Sequence, residues 1–238
     1  MPTELGSFPS GSVAIVVGAS GGVGAALVEA IAKSGQFSEV REFGRSTSPT
    51  LDLLSEGSIE AAAASLKKLD IPPRLIIAAT GLLHDGDLMP EKNLARLDGA
   101  QLARLFAVNA TGPALLMKHF LPLLPKEGKS AFAALSAKVG SIGDNELGGW
   151  YGYRASKAAL NQFVRTAAIE LRRRKPSALC VALHPGTVMT DLSSPFRKAG
   201  LATQTPEEAA GRLLATINGL SAAQSGGFYS YEGEELPW

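Results

Sequence analysis

Cysteine is nearly absent from this chain of 238 residues: Cys180 stands alone, so no internal disulfide can form. It lies in the apolar run Ala178-Leu179-Cys180-Val181-Ala182-Leu183, which reads as a buried strand thiol and suits a reducing cytoplasm. A surplus of one charge sign is lacking as well. The 23 basic and 22 acidic side chains leave a net +1, which gives no broad field to draw in nucleic acid or an anionic membrane. The one dense basic run, Arg172-Arg173-Arg174-Lys175, reads as a solvated helix end, where cations meet the negative end of the dipole. No run of about 18 apolar residues occurs, and residues 1–12 hold no basic segment followed by an apolar one, which argues against membrane spanning and secretion. Repeats, heptads, low-complexity linkers and metal-ligand patterns are missing too.

What is present is alternation. Short apolar runs at Val13–Val17, Val40–Phe43, Leu75–Ala79, Ala131–Leu135, Leu179–Leu183 and Phe228–Tyr231 are separated by longer amphipathic stretches. Strands covered by helices on both faces stay apolar without alternating, so these runs predict βα units feeding a parallel sheet. Apolar residues at three- and four-residue intervals predict helices at Val23–Lys33, Ile59–Leu69, Asp98–Leu123, Tyr151–Arg174 and Pro206–Asn218. The last begins on a capping box, with Thr205 at the cap, Pro206 after it and Glu208 three residues on. Loops near 82–93 and 187–204 follow strand ends, on the side of an open α/β sheet where ligands bind.

Directly after the first run stand Val17-Gly18-Ala19-Ser20-Gly21-Gly22-Val23-Gly24. Glycines at a strand-to-helix junction permit a tight turn and close approach of backbone to a pyrophosphate, and the helix N-terminus adds N–H groups and a positive dipole end. At the first βα junction, with further βα signals behind it, this loop marks a dinucleotide site on Gly18, Ser20, Gly21, Gly22, Val23 and Gly24. The fold expected is therefore one α/β domain over residues 1–238, a Rossmann-type doubly wound parallel sheet of about seven strands with helices on both faces. The second strand should approach the adenosine ribose, and Gly44 and Arg45 take its end. A guanidinium there can bind a 2′-phosphate in bidentate fashion, which favours NADP(H). Glu42, two residues earlier, would instead accept from a free 2′-hydroxyl and keeps NAD(H) open.

Tyr153-Arg154-Ala155-Ser156-Lys157 places Tyr153 and Lys157 four apart at a helix start, on one face. An adjacent ammonium is expected to pull a tyrosine below its ordinary value of about 10, fitting it to exchange protons with a carbonyl oxygen.

In this order the residues resemble the classical short-chain dehydrogenases/reductases, over nearly the whole chain. Gly18, Gly22 and Gly24 match that family's cofactor loop, with Val17 where threonine is usual. Asp52-Leu53 resembles its adenine-contacting segment, and Ala78-Ala79-Thr80-Gly81 stands where Asn-Asn-Ala-Gly is usual, so the resemblance adds Asp52, Leu53, Ala79 and Gly81 to the cofactor site. Asn109, within Val108-Asn109-Ala110-Thr111-Gly112, matches the asparagine that holds a relay water, and Tyr153 and Lys157 match the Tyr-x-x-x-Lys pair. Pro185, Gly186, Val188 and Thr190 resemble the loop that fixes the nicotinamide amide. Ser136-Ala137-Lys138-Val139-Gly140-Ser141-Ile142, Gly148-Gly149-Trp150 and the ending Tyr231 to Trp238 resemble the branch of C-factor-like proteins and sniffer-type carbonyl reductases. One departure stands out: three residues before Gly140, where the family has its catalytic serine, this chain has Ala137. The hydroxyl that polarises the carbonyl must then come from Ser136, the favoured choice, from Ser141, or from nowhere.

The resemblance implies NAD(P)-dependent reduction of a carbonyl, or oxidation of an alcohol, with Tyr153 as acid/base, Lys157 as its modulator and ribose anchor, and Asn109 as relay holder. A binding-only NAD(P) sensor is the alternative, and an epimerase or dehydratase using His84 and Asp85 is a third. Leu82, Trp150, Tyr151, Met189, Leu192 and Phe196 are candidates for an apolar substrate pocket. The helix from Tyr151 pairs subunits in many relatives, so a homodimer or homotetramer is expected, with a monomer open.

Overall fold

A computed structural model describes residues 4–196 and 202–238. Six parallel strands form one sheet: β1 (Ser12–Val17), β2 (Phe37–Phe43), β3 (Pro73–Ala78), β4 (Ser130–Leu135), β5 (Ala178–His184) and β6 (Phe228–Ser230), in the order β2-β1-β3-β4-β5-β6. Six α-helices flank it: α1 (Gly22–Ser34), α2 (Glu56–Leu66), α3 (Gly99–Phe106), α4 (Gly112–Phe120), α5 (Tyr151–Arg174) and α6 (Pro206–Gly219). Alternate strand residues face opposite layers. Ile15, Ile76, Phe132 and Cys180 pack with α2, α4 and α5, while Val16, Ile77, Ala133 and Val181 pack with α1 and α6. This two-sided burial explains why the strands read as unbroken apolar runs. The chain steps outward from β1 to β2 and then crosses back to β3, so a crevice opens beyond the carboxyl ends of β1 and β3.

Six strands stand among the described residues where about seven were expected. After β2, Leu51 donates its N–H to Gly44 O at 2.9 Å and the Thr47 hydroxyl donates to the carbonyls of Gly44 and Pro49. The segment thus closes on itself and leaves no backbone row to extend the sheet. β2 also begins at Phe37, earlier than the apolar run. It is an edge strand with one neighbour, so Glu39, Arg41 and Glu42 can reach solvent without costing it the sheet.

The helix expected over Asp98–Leu123 is divided. A π-helical turn, Ala107–Thr111, separates α3 from α4, and a 3-10 turn, Leu121–Leu123, follows α4. Pro113 has no N–H to give the Asn109 carbonyl, and the Gly112 N–H bonds back five residues to Ala107 O, so the turn widens at that point. The capping box at Thr205 and Glu208 is present. Part of the loop near 187–204, residues 197–201, lies outside the described residues. No described helix is long and apolar enough to cross a membrane.

Candidate active site

A cleft of about 730 Å³ opens beyond the strand ends. Its floor is the turn from β1 into α1. Gly18 has φ +86°, its N–H donates to Phe43 O at 2.8 Å, and a Cβ on it would lie 2.7 Å from Ala79 O; a Cβ on Gly24 would overlap Gly18 O. Only glycine permits that approach. No side chain caps the start of α1, and its first turn carries no acidic residue. Free N–H groups and a positive dipole end therefore face the cleft, which fits the pyrophosphate of a dinucleotide. Across the gap, Thr190 Cγ2 comes within 2.8 Å of where a Gly22 Cβ would be, so the loop after β5 closes over the glycine turn.

The far wall carries the polar chemistry. The π turn aims Asn109 inward, fully buried. Its Oδ1 accepts from Leu82 N–H at 2.7 Å, and its Nδ2 donates to Leu82 O at 2.7 Å and to Ser156 Oγ at 3.1 Å. One side chain thus ties the loop after β3 to α5. Lys157 Nζ donates to Leu135 O at 2.9 Å, and the position of a Cβ on Gly81 would lie 3.5 Å from that Nζ and 3.8 Å from Asn109 Oδ1. Tyr153 sits one turn before Lys157, with Nζ 5.9 Å from its ring centroid. Tyr153, Lys157 and Asn109 therefore meet at one place. The expected lowering of the phenol is not found: Tyr153 is 7% exposed and burial pushes it up to about 12, while burial pulls Lys157 down to about 8. The ammonium is engaged by a carbonyl, and desolvation of the phenolate outweighs the distant charge.

A family model described as enoyl-(acyl carrier protein) reductase, one of the short-chain dehydrogenase/reductase group, matches residues 18–222 and so spans the glycine turn, Asn109, Tyr153 and Lys157. The chain belongs to the short-chain dehydrogenase/reductase family. It is an oxidoreductase of that family. It is 30% identical to the 1-hydroxy-2-glutathionyl-2-methyl-3-butene dehydrogenase of Rhodococcus sp. (strain AD45) over 236 residues, 95% of this chain and 100% of that one. It is 38% identical to the C-signal of Myxococcus xanthus over 145 residues, 61% of this chain and 83% of that protein. The NADPH-bound carbonyl reductase from chicken fatty liver superposes with a TM-score of 0.82 at 28% identity, covering 97% of this chain and 100% of that one. The branch expected from the Gly140 and carboxy-terminal segments agrees with these relatives.

Within this short-chain dehydrogenase/reductase site the serines are committed elsewhere. Ser136 stands in the cleft wall, yet its hydroxyl donates to Asn161 Oδ1 at 2.6 Å. Ser141 Oγ accepts the Asp144 N–H at 3.1 Å, outside the wall. Ala137 faces the cleft between them. Pro185, Gly186 and Val188 also line it, as do Ser20, Gly21, Val23, Ala79 and Gly81. Arg45, Asp52 and Leu53 are not in the wall. Arg45 is exposed two residues beyond Phe43, whose carbonyl holds Gly18. Asp52 Oδ1 accepts Leu54 N–H at 3.0 Å on the way into α2, and Leu53 packs where Gly112 leaves room.

Of the expected pocket residues, Trp150, Met189, Leu192 and Phe196 line the cleft. Leu82 does not, because Asn109 pins both its backbone groups and the buried Leu83 turns inward instead. Tyr151 points to solvent. His84 Nε2 lies 3.1 Å from Asp191 O and its ring meets Phe196 edge-on at 5.5 Å, so it bridges two loops; Asp85 pairs with Arg104. Three polar residues were not anticipated. Asn161 holds Ser136. His184 lines the cleft, pulled down to about 4 chiefly by burial, and its position just before Pro185-Gly186 was the one signal available. Glu91 is 4% exposed and accepts the Gly152 N–H at the head of α5; no local motif marks it.

Proposed function

We propose that this oxidoreductase reduces a carbonyl compound with NADPH. The observation that carries the reading is the convergence of Tyr153 and Lys157 on the wall of the cleft whose floor is the glycine turn, with the buried Asn109 bracing α5 through Ser156. When bound, the reduced nicotinamide supplies a hydride to the carbonyl carbon. Tyr153 then hands its proton to the carbonyl oxygen, and a phenol held near 12 arrives at that step protonated. Lys157, at about 8, is the stronger acid of the two and restores that proton. Asn109 holds the loop and helix on which the pair depends. Ser136 can add a second donor to the oxygen only by leaving Asn161. Arg45, just past the end of β2, supports binding of a 2′-phosphate and hence NADP(H) over NAD(H). The exposed Phe163 and Ile169 on α5 support pairing of two copies there, and the lone buried thiol of Cys180 suits a reducing cytoplasm.

The deciding experiment is single-turnover reduction of a small aromatic aldehyde or diketone with NADPH. Tyr153→Phe should slow hydride loss by about 10²- to 10⁴-fold, and equal rates would end the mechanism. A second reading, an NAD(P)-binding signalling protein with little turnover, is favoured by the hydrogen bond that occupies Ser136. Tight NADPH binding with no hydride loss across a broad carbonyl panel would establish it instead.

A further inference from the structure

The entry to α5 is held from outside the helix. Trp150 occupies the cap position with φ 53° and ψ 40°, the one non-glycine residue with positive φ among those described, and its side chain caps nothing. A bulky residue reaches the left-handed region only when its surroundings over-determine it. Here Glu91 does so from the loop after β3. Its carbonyl accepts the Trp150 N–H at 2.6 Å, and its carboxylate accepts the Gly152 N–H at 3.1 and 3.3 Å. A Cβ on Gly152 would come within 2.9 Å of that carboxylate, so the glycine is what lets Glu91 reach the backbone.

The consequence lies in the cleft. With its backbone turned left-handed, Trp150 sets its indole edge-on to Tyr153 at 6.2 Å and to Phe196 at 5.1 Å. It becomes a wall between the proton donor and the loop after β5. Released to the ordinary right-handed or extended regions, the indole would leave that position, because the Cα–Cβ vector swings with φ and ψ.

We infer that Glu91 is a positioning residue: it latches the loop after β3 to the head of α5 and so holds Trp150 as the wall that selects aryl carbonyl substrates. This rests on the carbonyl-reductase reading of the same site. The latch meets α5 at Gly152, beside Tyr153, and leaves the cofactor floor untouched.

The chain has two tryptophans, Trp150 and Trp238, so a Trp238→Phe background makes emission and near-ultraviolet circular dichroism report on Trp150. In that background Glu91→Ala should red-shift the emission and flatten the near-ultraviolet signal. The KM for a large aryl ketone should rise about tenfold, that for a small aliphatic aldehyde should hold, and NADPH affinity should stay within about twofold. Glu91→Gln, whose amide oxygen still accepts from Gly152, should behave like the parent. Trp150→Gly, free to keep the left-handed backbone, should reproduce the rise in KM, and adding Glu91→Ala to it should add nothing. Unchanged emission and KM in Glu91→Ala, equal loss in Glu91→Gln, or additive losses in the double variant would each overturn the inference. Should Glu91→Ala fail to fold, an unchanged aryl KM in Trp150→Gly overturns it on its own. Tyr153→Phe separates the two claims: turnover surviving there defeats the proposed reaction, while the emission of Trp150 and its quenching by a bound aryl ketone still test the latch.

Discussion

Replacing Lys157 by methionine should stabilise the ligand-free protein while abolishing turnover. Lys157 is 2% exposed, and burial alone drags its ammonium from 10.5 to about 8. That difference corresponds to about 3 kcal/mol borne by the charged form. Against it stands one hydrogen bond to Leu135 O, a charge-assisted contact of about 1.5–3 kcal/mol. Methionine matches the length of the stem and removes the charge, so the net gain is up to about 1.5 kcal/mol, or up to about 5 °C in Tm for a chain of this size. The pH dependence fixes the cause. Below about pH 8 folded and unfolded chains both carry the proton, and the burial cost is fully present. As pH climbs from about 8 toward 10.5 the folded lysine loses its proton first, wild type gains stability, and its gap to the variant closes. Thermal melts of both proteins at about pH 7 and about pH 10 measure this, and titrating groups remote from Lys157 cancel in the difference. A variant less stable at neutral pH, or a gap that does not move with pH, would refute the claim that Lys157 is held in its charged form against desolvation.

Two further substitutions probe the cofactor and the oxyanion. Arg45→Ala should weaken NADPH about tenfold and leave NADH unchanged, as read by titration of protein fluorescence; equal effects on both would remove the guanidinium from the 2′-phosphate. Ala137→Ser places a hydroxyl on the cleft wall beside Tyr153 and should raise kcat for carbonyl reduction about tenfold or more. If Ser136 already serves, Ser136→Ala will instead cost about 10²-fold and Ala137→Ser will bring nothing.

Much of this molecule could be read from its sequence, for reasons that differ by element. β1, β3, β4 and β5 were legible because each is covered on both faces and keeps polar residues to its ends. β2 was legible only at its apolar end, since one solvated edge releases Glu39 to Glu42 from that rule. The glycine turn and the Tyr153–Lys157 pair are local in sequence, and so were found. The wide turn at Asn109 depends on a missing N–H at Pro113, which looks like an ordinary early-helix proline in the sequence. Glu91, Asn161 and the diversion of Ser136 were illegible, because each partner lies tens of residues away and only the fold brings them together. The failed expectation about the phenol has the same root: spacing gives proximity, but burial decided the sign, and burial is a tertiary quantity.

That sign bears on the state in which the site rests. A phenol near 12 is ionised in only about one molecule in 10⁵ at pH 7, so removing a proton from an alcohol would begin from a scarce state, while giving one to a carbonyl begins from the resting state. Lys157 at about 8 lies below the phenol and above neutrality; once Tyr153 has given its proton away, transfer from the ammonium runs downhill and leaves an amine that solvent can recharge. The two shifts have one cause, burial where α5 meets the end of β4. The cation is bound to the Leu135 carbonyl rather than to the phenol, and the site therefore rests with Tyr153 protonated and poised to donate.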